Sequence, residues 1–451
     1  MILDKNSEKS WRSAVKNSSK VYYFYFLIFV IFCFGLFMLF KKVNFSSIDF
    51  NGLNHKFASI LKQNDSSLAN NENSVNNNVI NSSLPEWDLS SALYLDMESN
   101  QIDEDISSVN KMINNFVFHY QNANLNKFSK KQFLEFLHSY SNILDKSSRI
   151  SLFAYLLYAK DSLNPEVNQF YSKINDIETK WSSSLSFIKH KLYALKPKQL
   201  SSFYKEKDIY FYKPYIDRVL KYSSHRLSPE LDKFNIEKSS SLVDPIVRLY
   251  DQTLSGITIN YDNQNYTLTQ ALGLLFSDDQ KTRHEVSKKI NEKLGENSNI
   301  FLFVFNTILK DKSVEDKWRN FKSPLHAELL ANEFDDELLS TVVNTVTKNY
   351  SNTAHRYYKL KAKAMGVEKL DYSDRNAPIY KLSKTYDWAF TKNAVLNSYM
   401  SFSKDLYNGA VWFFDNNRID AITQKGKMSG AFCTHIEPFV LMNFTGKFND
   451  V

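Results

Sequence analysis

Twenty consecutive uncharged residues, from Val21 to Phe40, constrain this chain more than any other feature of its sequence. An α-helix rises about 1.5 Å per residue, so a helix of this length spans about 30 Å, the thickness of the hydrocarbon core of a bilayer. Lys41 and Lys42 stand where a cleaved signal peptide would carry small residues. We therefore predict a single transmembrane helix over residues 21–40; a buried core helix is the alternative.

The charges around this apolar run predict its orientation and exclude one class of partner. Five Lys or Arg precede the run and two follow it, which favours a cytoplasmic N-terminus and a membrane-anchored protein. Residues 1–42 hold seven of the 56 basic residues and two of the 49 acidic ones, so the rest of the chain is nearly neutral. Because a nucleic-acid-binding domain concentrates positive charge on its binding surface, we exclude nucleic acid as a partner.

Composition predicts a mainly α body that follows an irregular segment. Eight Asn between Asn64 and Asn81, interleaved with Ser, predict a tether. With 10 Gly and 9 Pro in 451 residues, the chain has few turn-forming residues, which favours helices over a β-sandwich or β-barrel. The predicted order is a basic tail, the transmembrane helix, the tether, a helical N-terminal domain and a larger second domain: 1–20, 21–40, 41–85, 86–205 and 206–451.

Local patterns predict individual elements of this body. Residues Phe133–Leu144 place apolar side chains on one face of a helix. Residues 256–268 alternate in polarity around a central Asp-Asn turn, as in a β-hairpin. Ala431–Thr434 and Phe439–Phe444 predict a second strand pair. The predicted fold class is therefore mainly α, a multi-helical scaffold with one or two small β-hairpins, preceded by the transmembrane helix.

No complete catalytic or metal-binding motif occurs in the sequence. A His-Glu-x-x-His helix would place two imidazoles on one face, but the His-Glu pair that begins at His284 is followed by Lys288, whose ammonium group repels a metal ion. His435 and Glu437 lie two residues apart near Cys433 and would form half of a metal site; ordinary polar positions are the alternative. From the residues alone we assign no catalytic residue and no metal ligand.

Seven short segments occur in an order that is itself informative. The longest, HRYYKLKAKAMGVEKLDYSDRNAPIY, runs from His355 to Tyr380. The others are Trp87–Tyr94, His225–Glu230, Lys317–Phe321, Leu330–Glu333, Gly426–Phe432 and Pro438–Asn443. Together they resemble oligoendopeptidase F, in the thimet-oligopeptidase-like zinc metallopeptidase family, over residues 87–451. The resemblance implies a peptidase-type scaffold, with the oligoendopeptidase F N-terminal domain at 86–205 and an incomplete peptidase domain, lacking the zinc-binding part, at 206–451.

The resemblance also implies a cofactor, a substrate class and one candidate site. In the family, the segment similar to Pro438–Val451 leads into the H-E-x-x-H zinc helix, which this sequence lacks, so no zinc ligand and no catalytic residue can be assigned here. The implied cofactor is Zn2+ and the implied substrates are short peptides. A strand bordering the cleft would pair through its backbone with an extended peptide, and its residues are Ser429, Gly430, Ala431 and Phe432.

Two functions follow from these observations. The first is a truncated or split oligoendopeptidase F-like zinc metallopeptidase, inactive as this chain alone and completed by a C-terminal fragment that carries the zinc site. The alternative is a membrane-tethered, non-catalytic peptide-binding protein. Family members are mostly cytoplasmic, so a membrane anchor would be unusual. Under the first function, we expect the strand Phe439–Phe444 to be left without a covering helix and the body to be poorly soluble.

Overall fold

The computed structural model describes residues 84–379 and 385–447, and helices dominate both ranges. Three long helices pack on one another: α1 Asn100–Tyr120, α2 Lys130–Lys160 and α3 Pro165–Leu185. A capping box starts α2, because the Ser129 hydroxyl accepts from the Gln132 amide while the Gln132 side chain accepts from the Ser129 amide. The predicted apolar face of α2 is largely buried, with Phe133 and Phe136 inaccessible to solvent.

Shorter helices follow α3, and several begin where a proline or a capping side chain favours the first turn. In one of them the Ser228 hydroxyl accepts from the Leu231 amide and Pro229 occupies the first helical turn. The six helices are α4 Phe187–Tyr193, α5 Pro197–Phe203, α6 Lys207–Tyr210, α7 Lys213–Lys221, α8 Pro229–Ser239 and α9 Val243–Gly256. The predicted domain boundary near residue 205 falls between α5 and α6 and stays a prediction.

The predicted β-hairpin is confirmed and packs against two helices. Strands β1 (Thr258–Tyr261) and β2 (Gln264–Thr267) pair antiparallel. The two turn residues, Asp262 and Asn263, have φ of 49° and 57°, the left-handed conformation that a two-residue hairpin turn requires. A buried apolar cluster joins the hairpin to α10 (Leu268–Leu274) and α11 (Gln280–Glu296), and includes Ile257, Ile259, Ala271, Val286 and Ile290.

The later helices leave apolar side chains exposed. They are α12 Ser298–Trp318, α13 His326–Ala331, α14 Asp336–Asn349, α15 Ala354–Ala364, α16 Trp388–Phe402 and α17 Lys404–Asp415. On α12, Phe303 is 59 % exposed and Trp318 is 63 % exposed. Helix α14 has no buried residue, and its Val343 is 52 % exposed. Exposed apolar surface of this extent is typical of a face that contacts a protein, a ligand or a membrane.

The second β element is a three-stranded mixed sheet. Its strands are β3 Ile419–Asp420, β4 Phe432–Cys433 and β5 Val440–Leu441, and β5 lies in the centre. β5 pairs parallel with β3 and antiparallel with β4. The predicted pairing of the last two strands is therefore confirmed, whereas no sequence pattern indicated β3.

The strand predicted to be uncovered is instead part of the core. Phe439 and Leu441 have no exposed surface and Phe444 is 1 % exposed. The Trp87 ring packs edge-on against Phe439 at 6.0 Å, and the Trp388 ring packs edge-on against Phe444 at 5.3 Å. The expectation that this strand lacks a cover was wrong, because residues from distant parts of the chain supply one.

The fold class needs one correction, which concerns the transmembrane helix. A mainly helical body with small β elements is observed, but no helix within residues 84–379 and 385–447 is long and apolar enough to cross a membrane. The longest, α2, begins with Lys130-Lys131 and carries charged residues along its length, which a hydrocarbon core disfavours. The predicted segment Val21–Phe40 lies outside the described residues. The part of the chain that the structure describes is accordingly mainly helical, and membrane attachment is not carried forward.

A buried ion pair fixes the loop that precedes residue 379 against α11. Arg283 donates to one carboxylate oxygen of Asp374 from Nε at 3.0 Å and from Nη2 at 2.7 Å, and both side chains are 2 % exposed. Its Nη1 donates to the Ser277 carbonyl at 2.8 Å. Burial by itself raises the pKa of Asp374, but the hydrogen bonds and charge of Arg283 outweigh burial, and the pKa is lowered.

Replacing Arg283 with methionine is expected to lower the free energy of unfolding by about 3–5 kcal/mol, because the buried Asp374 charge keeps only the longer contacts of Gln280 and His284, at 3.3 and 3.4 Å. Urea denaturation followed by circular dichroism measures the change. The control is Arg218→Met, which breaks an exposed pair with Glu333 and is expected to cost less than about 1 kcal/mol. Equal losses in the two variants would contradict the role given to the buried pair.

Candidate functional site

The strand β4 lies at the edge of the mixed sheet, with β5 on its inner side. Phe432 stands opposite Leu441, and the Thr434 amide donates to the Phe439 carbonyl at 3.0 Å. In an antiparallel pair, alternate residues direct both backbone polar groups toward the partner strand. Phe432 and Thr434 therefore direct their N–H and C=O groups inward, to β5.

The residues on either side of Phe432 are expected to direct their backbone outward. By the same alternation, the N–H and C=O groups of Cys433 point to the open side of β4, and continuing the alternation one residue before the strand gives Ala431 the same direction. Within the described residues, neither amide donates to another backbone group. Ala431 and Cys433 are also exposed to solvent. An edge strand with free, exposed backbone groups is a template on which another extended chain can pair.

The loop that leads into β4 is fixed against the end of α2. The Gly426 carbonyl accepts from both the amide and the hydroxyl of Ser162, each at 2.8 Å. The Met428 amide donates to the Ala159 carbonyl at 2.9 Å. Gly426 has φ of +87°, and a Cβ at this position would overlap the Asp161 carboxylate. The approach of the loop to α2 therefore requires glycine.

Lys427, the next residue, anchors the loop to the sheet from inside. Its side chain is 0 % exposed, and Nζ donates to the Asp420 carboxylate, to the Ile422 carbonyl at 2.6 Å and to the Met442 carbonyl at 2.8 Å. Burial lowers the pKa of Lys427 and raises the pKa of Asp420, while their mutual attraction opposes both shifts. The ammonium group thus ties together β3, the loop and the segment after β5.

A cavity of about 200 Å³ lies next to this loop. It is bounded by α9, by the junction of β2 and α10, and by the loop itself. The lining residues are Tyr250, Asp251, Leu254, Ser255, Thr267, Leu268, Thr269, Gln424, Lys427, Met428 and Ser429. Ser429, which lines the cavity, is only two residues before Ala431, so the chain leads from the cavity directly to the open edge of β4.

Asp251 is the acidic residue that lines the cavity. Its carboxylate makes no hydrogen bond and no ion pair with another described residue, and burial raises its pKa. The negative charge acts on two tyrosines of α2: burial raises the pKa of Tyr155 and of Tyr158, and Asp251 adds to both shifts. The Tyr155 ring in turn contacts the Phe432 ring at 5.6 Å between centroids. Tyr155 thus interacts electrostatically with Asp251 and contacts β4 through its ring.

The four residues predicted to form a substrate strand lie together here, but the strand itself is shorter than predicted. Ser429 lines the cavity, and Gly430, with φ of +83°, forms a bend whose carbonyl accepts from Asn443 at 3.0 Å. Ala431 is exposed, and β4 begins only at Phe432. The left-handed conformation of Gly430 delays the strand. Their part in peptide binding stays a prediction.

Sequence reasoning missed Asp251, although the sequence carries a signal for it. Asp251 is four residues after Val247 and three before Leu254, so it interrupts the apolar face of α9. A charged residue on such a face indicates a polar partner or a site. The pattern does not reveal that a loop about 175 positions away, residues 424–429, lines the same cavity as Asp251.

The residues present do not fit a zinc ion. Within the described ranges, no group of three or more His, Cys, Asp and Glu side chains is arranged to hold a metal. His284 lies on α11, half-exposed, with Nε2 3.4 Å from the Asp374 carboxylate. Glu437 accepts from Arg149 at 2.6 Å, which makes it an ion-pair partner, while His435 is exposed. The alternative of ordinary polar positions is therefore the better interpretation of both His clusters.

Comparison with known sequences gives a consistent result. A family model described as Oligopeptidase F matches residues 191–258. The oligoendopeptidase F homolog of Borreliella burgdorferi is 24 % identical over 329 residues, which cover 69 % of this chain and 54 % of that protein. Group B oligopeptidase PepB of Streptococcus agalactiae is 22 % identical over 323 residues, covering 67 % and 52 %. The chain thus spans about half the length of the curated relatives it matches.

Solved structures share the fold at low sequence identity. The oligoendopeptidase-F of Enterococcus faecium matches with a TM-score of 0.57 and 19 % identity, over 70 % of this chain and 61 % of that one. PZ peptidase A, solved with an inhibitor, matches with a TM-score of 0.64 and 17 % identity, over 76 % and 60 %. The mainly helical architecture is therefore a peptidase-type fold.

Gly426→Ala is expected to lower the free energy of unfolding by more than about 1–2 kcal/mol, because it adds left-handed strain to the overlap with Asp161. Gly409→Ala is the matched control: it lies within α17 with no atom in the way, and is expected to stabilise by about 0.5–1 kcal/mol. Thermal denaturation of both variants measures the difference. If Gly426→Ala melts at or above the native temperature, the close approach of loop and α2 is refuted.

Proposed function

We propose, from the premise that this chain is an oligoendopeptidase F-like protein, that it supplies the helical body and one side of the substrate cleft of a peptidase for short peptides. The open edge of β4 is the observation that carries the proposal. Its outward backbone groups match the needs of an extended peptide, and a folded protein has few unpaired backbone groups to offer in return.

Pairing through the backbone sets the chemistry of recognition. The groups of Ala431 and Cys433 are two residues apart, so they would bond to alternate residues of an antiparallel or parallel peptide. Such bonds are the same for every side chain except proline, which lacks an N–H. The site therefore suits peptides of varied sequence, and further selectivity must come from side chains beside the edge, including those of the neighbouring cavity.

The catalytic zinc site belongs, in this proposal, to polypeptide outside the residues that hold the cleft. The described residues offer no ligand set, and the 451-residue sequence contains no H-E-x-x-H. We place the ligands in polypeptide that corresponds to the part of the relatives this chain does not match. The exposed apolar faces of α12 and α14, with Phe303 and Val343 among their side chains, support a surface that such a segment would cover.

The full chain alone is expected to bind a short peptide without cleaving it. Binding is measured by fluorescence anisotropy, and cleavage by a quenched-fluorescent peptide of about ten residues in the presence of zinc. Hydrolysis by the purified chain that stops on addition of a chelator would overturn the placement of the zinc site. Absence of peptide binding would overturn the cleft itself.

Ala431→Pro is expected to weaken peptide binding at least ten-fold, because proline removes an amide that points to the open edge and takes part in no bond to β5. Ala431→Ser keeps this amide and is the matched control, expected to bind as the native chain does. The anisotropy assay compares the two, and their melting temperatures verify folding. Unchanged binding by Ala431→Pro would rule out pairing at this edge.

A further inference from the structure

The cavity next to β4 is lined by a carboxylate whose charge no group within residues 84–379 and 385–447 neutralises. Asp251 makes no hydrogen bond or ion pair with any other described residue. Lys427 lines the same cavity, but its ammonium group is bound to Asp420 and to backbone carbonyls. Arg248, one turn earlier on α9, donates to the Ser172 hydroxyl. The nearby cations are thus engaged elsewhere.

A second polar group beside Asp251 also lacks a partner. The hydroxyl of Tyr158 is buried without a hydrogen bond to any described residue, and the whole side chain is 2 % exposed. Asp251 acts electrostatically on this hydroxyl. A buried, unpaired hydroxyl costs free energy, as does a partly desolvated carboxylate without a countercharge. Of the two groups, the Asp251 carboxylate lines the cavity and is therefore the one prepared for a polar ligand.

The position of these groups indicates where the ligand lies. Ser429, three residues before β4, lines the cavity, and the Tyr155 ring, on which the charge of Asp251 acts, contacts Phe432 of β4. A peptide paired along the open edge would therefore pass the cavity mouth. The chemistry that satisfies a desolvated carboxylate best is a positive charge that donates hydrogen bonds. Aromatic rings at the site, such as that of Tyr250, also favour a cation.

We propose that Asp251 recognises an ammonium group of the peptide bound along β4, and so selects peptides with a positive charge at one end of the cleft. The inference rests on the function proposed above and adds a specificity-determining residue to it. Two sources supply the same chemistry: the free α-amino group of the peptide, or the side chain of a lysine. Both donate three N–H bonds, and both carry one positive charge.

The test uses three peptides of otherwise identical sequence, each labelled at the C-terminus. The first has a free N-terminus and no lysine, the second is N-acetylated and lacks lysine, and the third is N-acetylated with a single lysine. Binding to the full native chain is measured by anisotropy at low ionic strength, where charge interactions are least screened. An ammonium-bearing peptide is expected to bind about ten-fold more tightly than the acetylated, lysine-free one. Which of the two does so identifies the source.

Two variants assign the preference to Asp251. Asp251→Asn, which has the same shape without the charge, is expected to abolish the preference and to bind the acetylated, lysine-free peptide as the native chain does. Asp251→Glu keeps the charge and is expected to retain part of the preference. Asp244→Asn, the control, removes another partly buried acid of α9 that interacts with Arg248, and is expected to retain all of it.

The outcomes separate this inference from the function on which it rests. Equal affinity of the native chain for all three peptides would overturn the inference and needs no variant. A preference that survives in Asp251→Asn would overturn it as well, while binding that is still sensitive to Ala431→Pro leaves the peptide cleft in place. If the native chain binds none of the peptides, the inference falls together with the proposed function.

Discussion

The buried ammonium group of Lys427 is the interaction on which the arrangement at β4 depends. A single nitrogen donates to one oxygen of the Asp420 carboxylate of β3 and to the carbonyls of Ile422 and Met442, which belong to separate segments. Because the charge is fully buried, it is stable only while these partners stay in place. The loop, the sheet edge and the cavity are consequently held in one geometry, and a peptide pairing with β4 would meet a prepared surface.

Local elements of the fold could be predicted from the sequence, because their causes are local. The β1–β2 hairpin needs two residues that tolerate positive φ, and Asp262-Asn263 provides them. Strand β3 could not be predicted, since two residues carry no periodicity and pair with a strand about twenty positions later. The prediction that Phe439 is uncovered was wrong for a related reason. Trp87, which packs on Phe439, lies about 350 positions away in the sequence.

The candidate site, too, has features that the sequence predicts and features that only the tertiary structure shows. The resemblance directed attention to Ser429–Phe432, and the structure places Phe432 in the edge strand β4 and the three residues before it in the loop that leads into this strand. The bend at Gly430 and the outward direction of the Ala431 backbone follow from register, which only the fold defines. The role proposed for Asp251 depends on its place in the cavity beside the loop and on its electrostatic effect on two tyrosines of α2. Motifs thus direct attention to a segment of the chain, and tertiary contacts decide which side chains lie beside it.

Hydrogen–deuterium exchange with residue-level fragmentation tests the central claim, pairing of a peptide with the outer side of β4, most directly. Addition of a saturating short peptide should slow exchange of the Ala431 and Cys433 amides, which point outward. The Phe432 and Leu441 amides, which already bond across the sheet, should exchange as before. Unchanged exchange at Ala431 and Cys433, with protection appearing on another surface, would contradict the account.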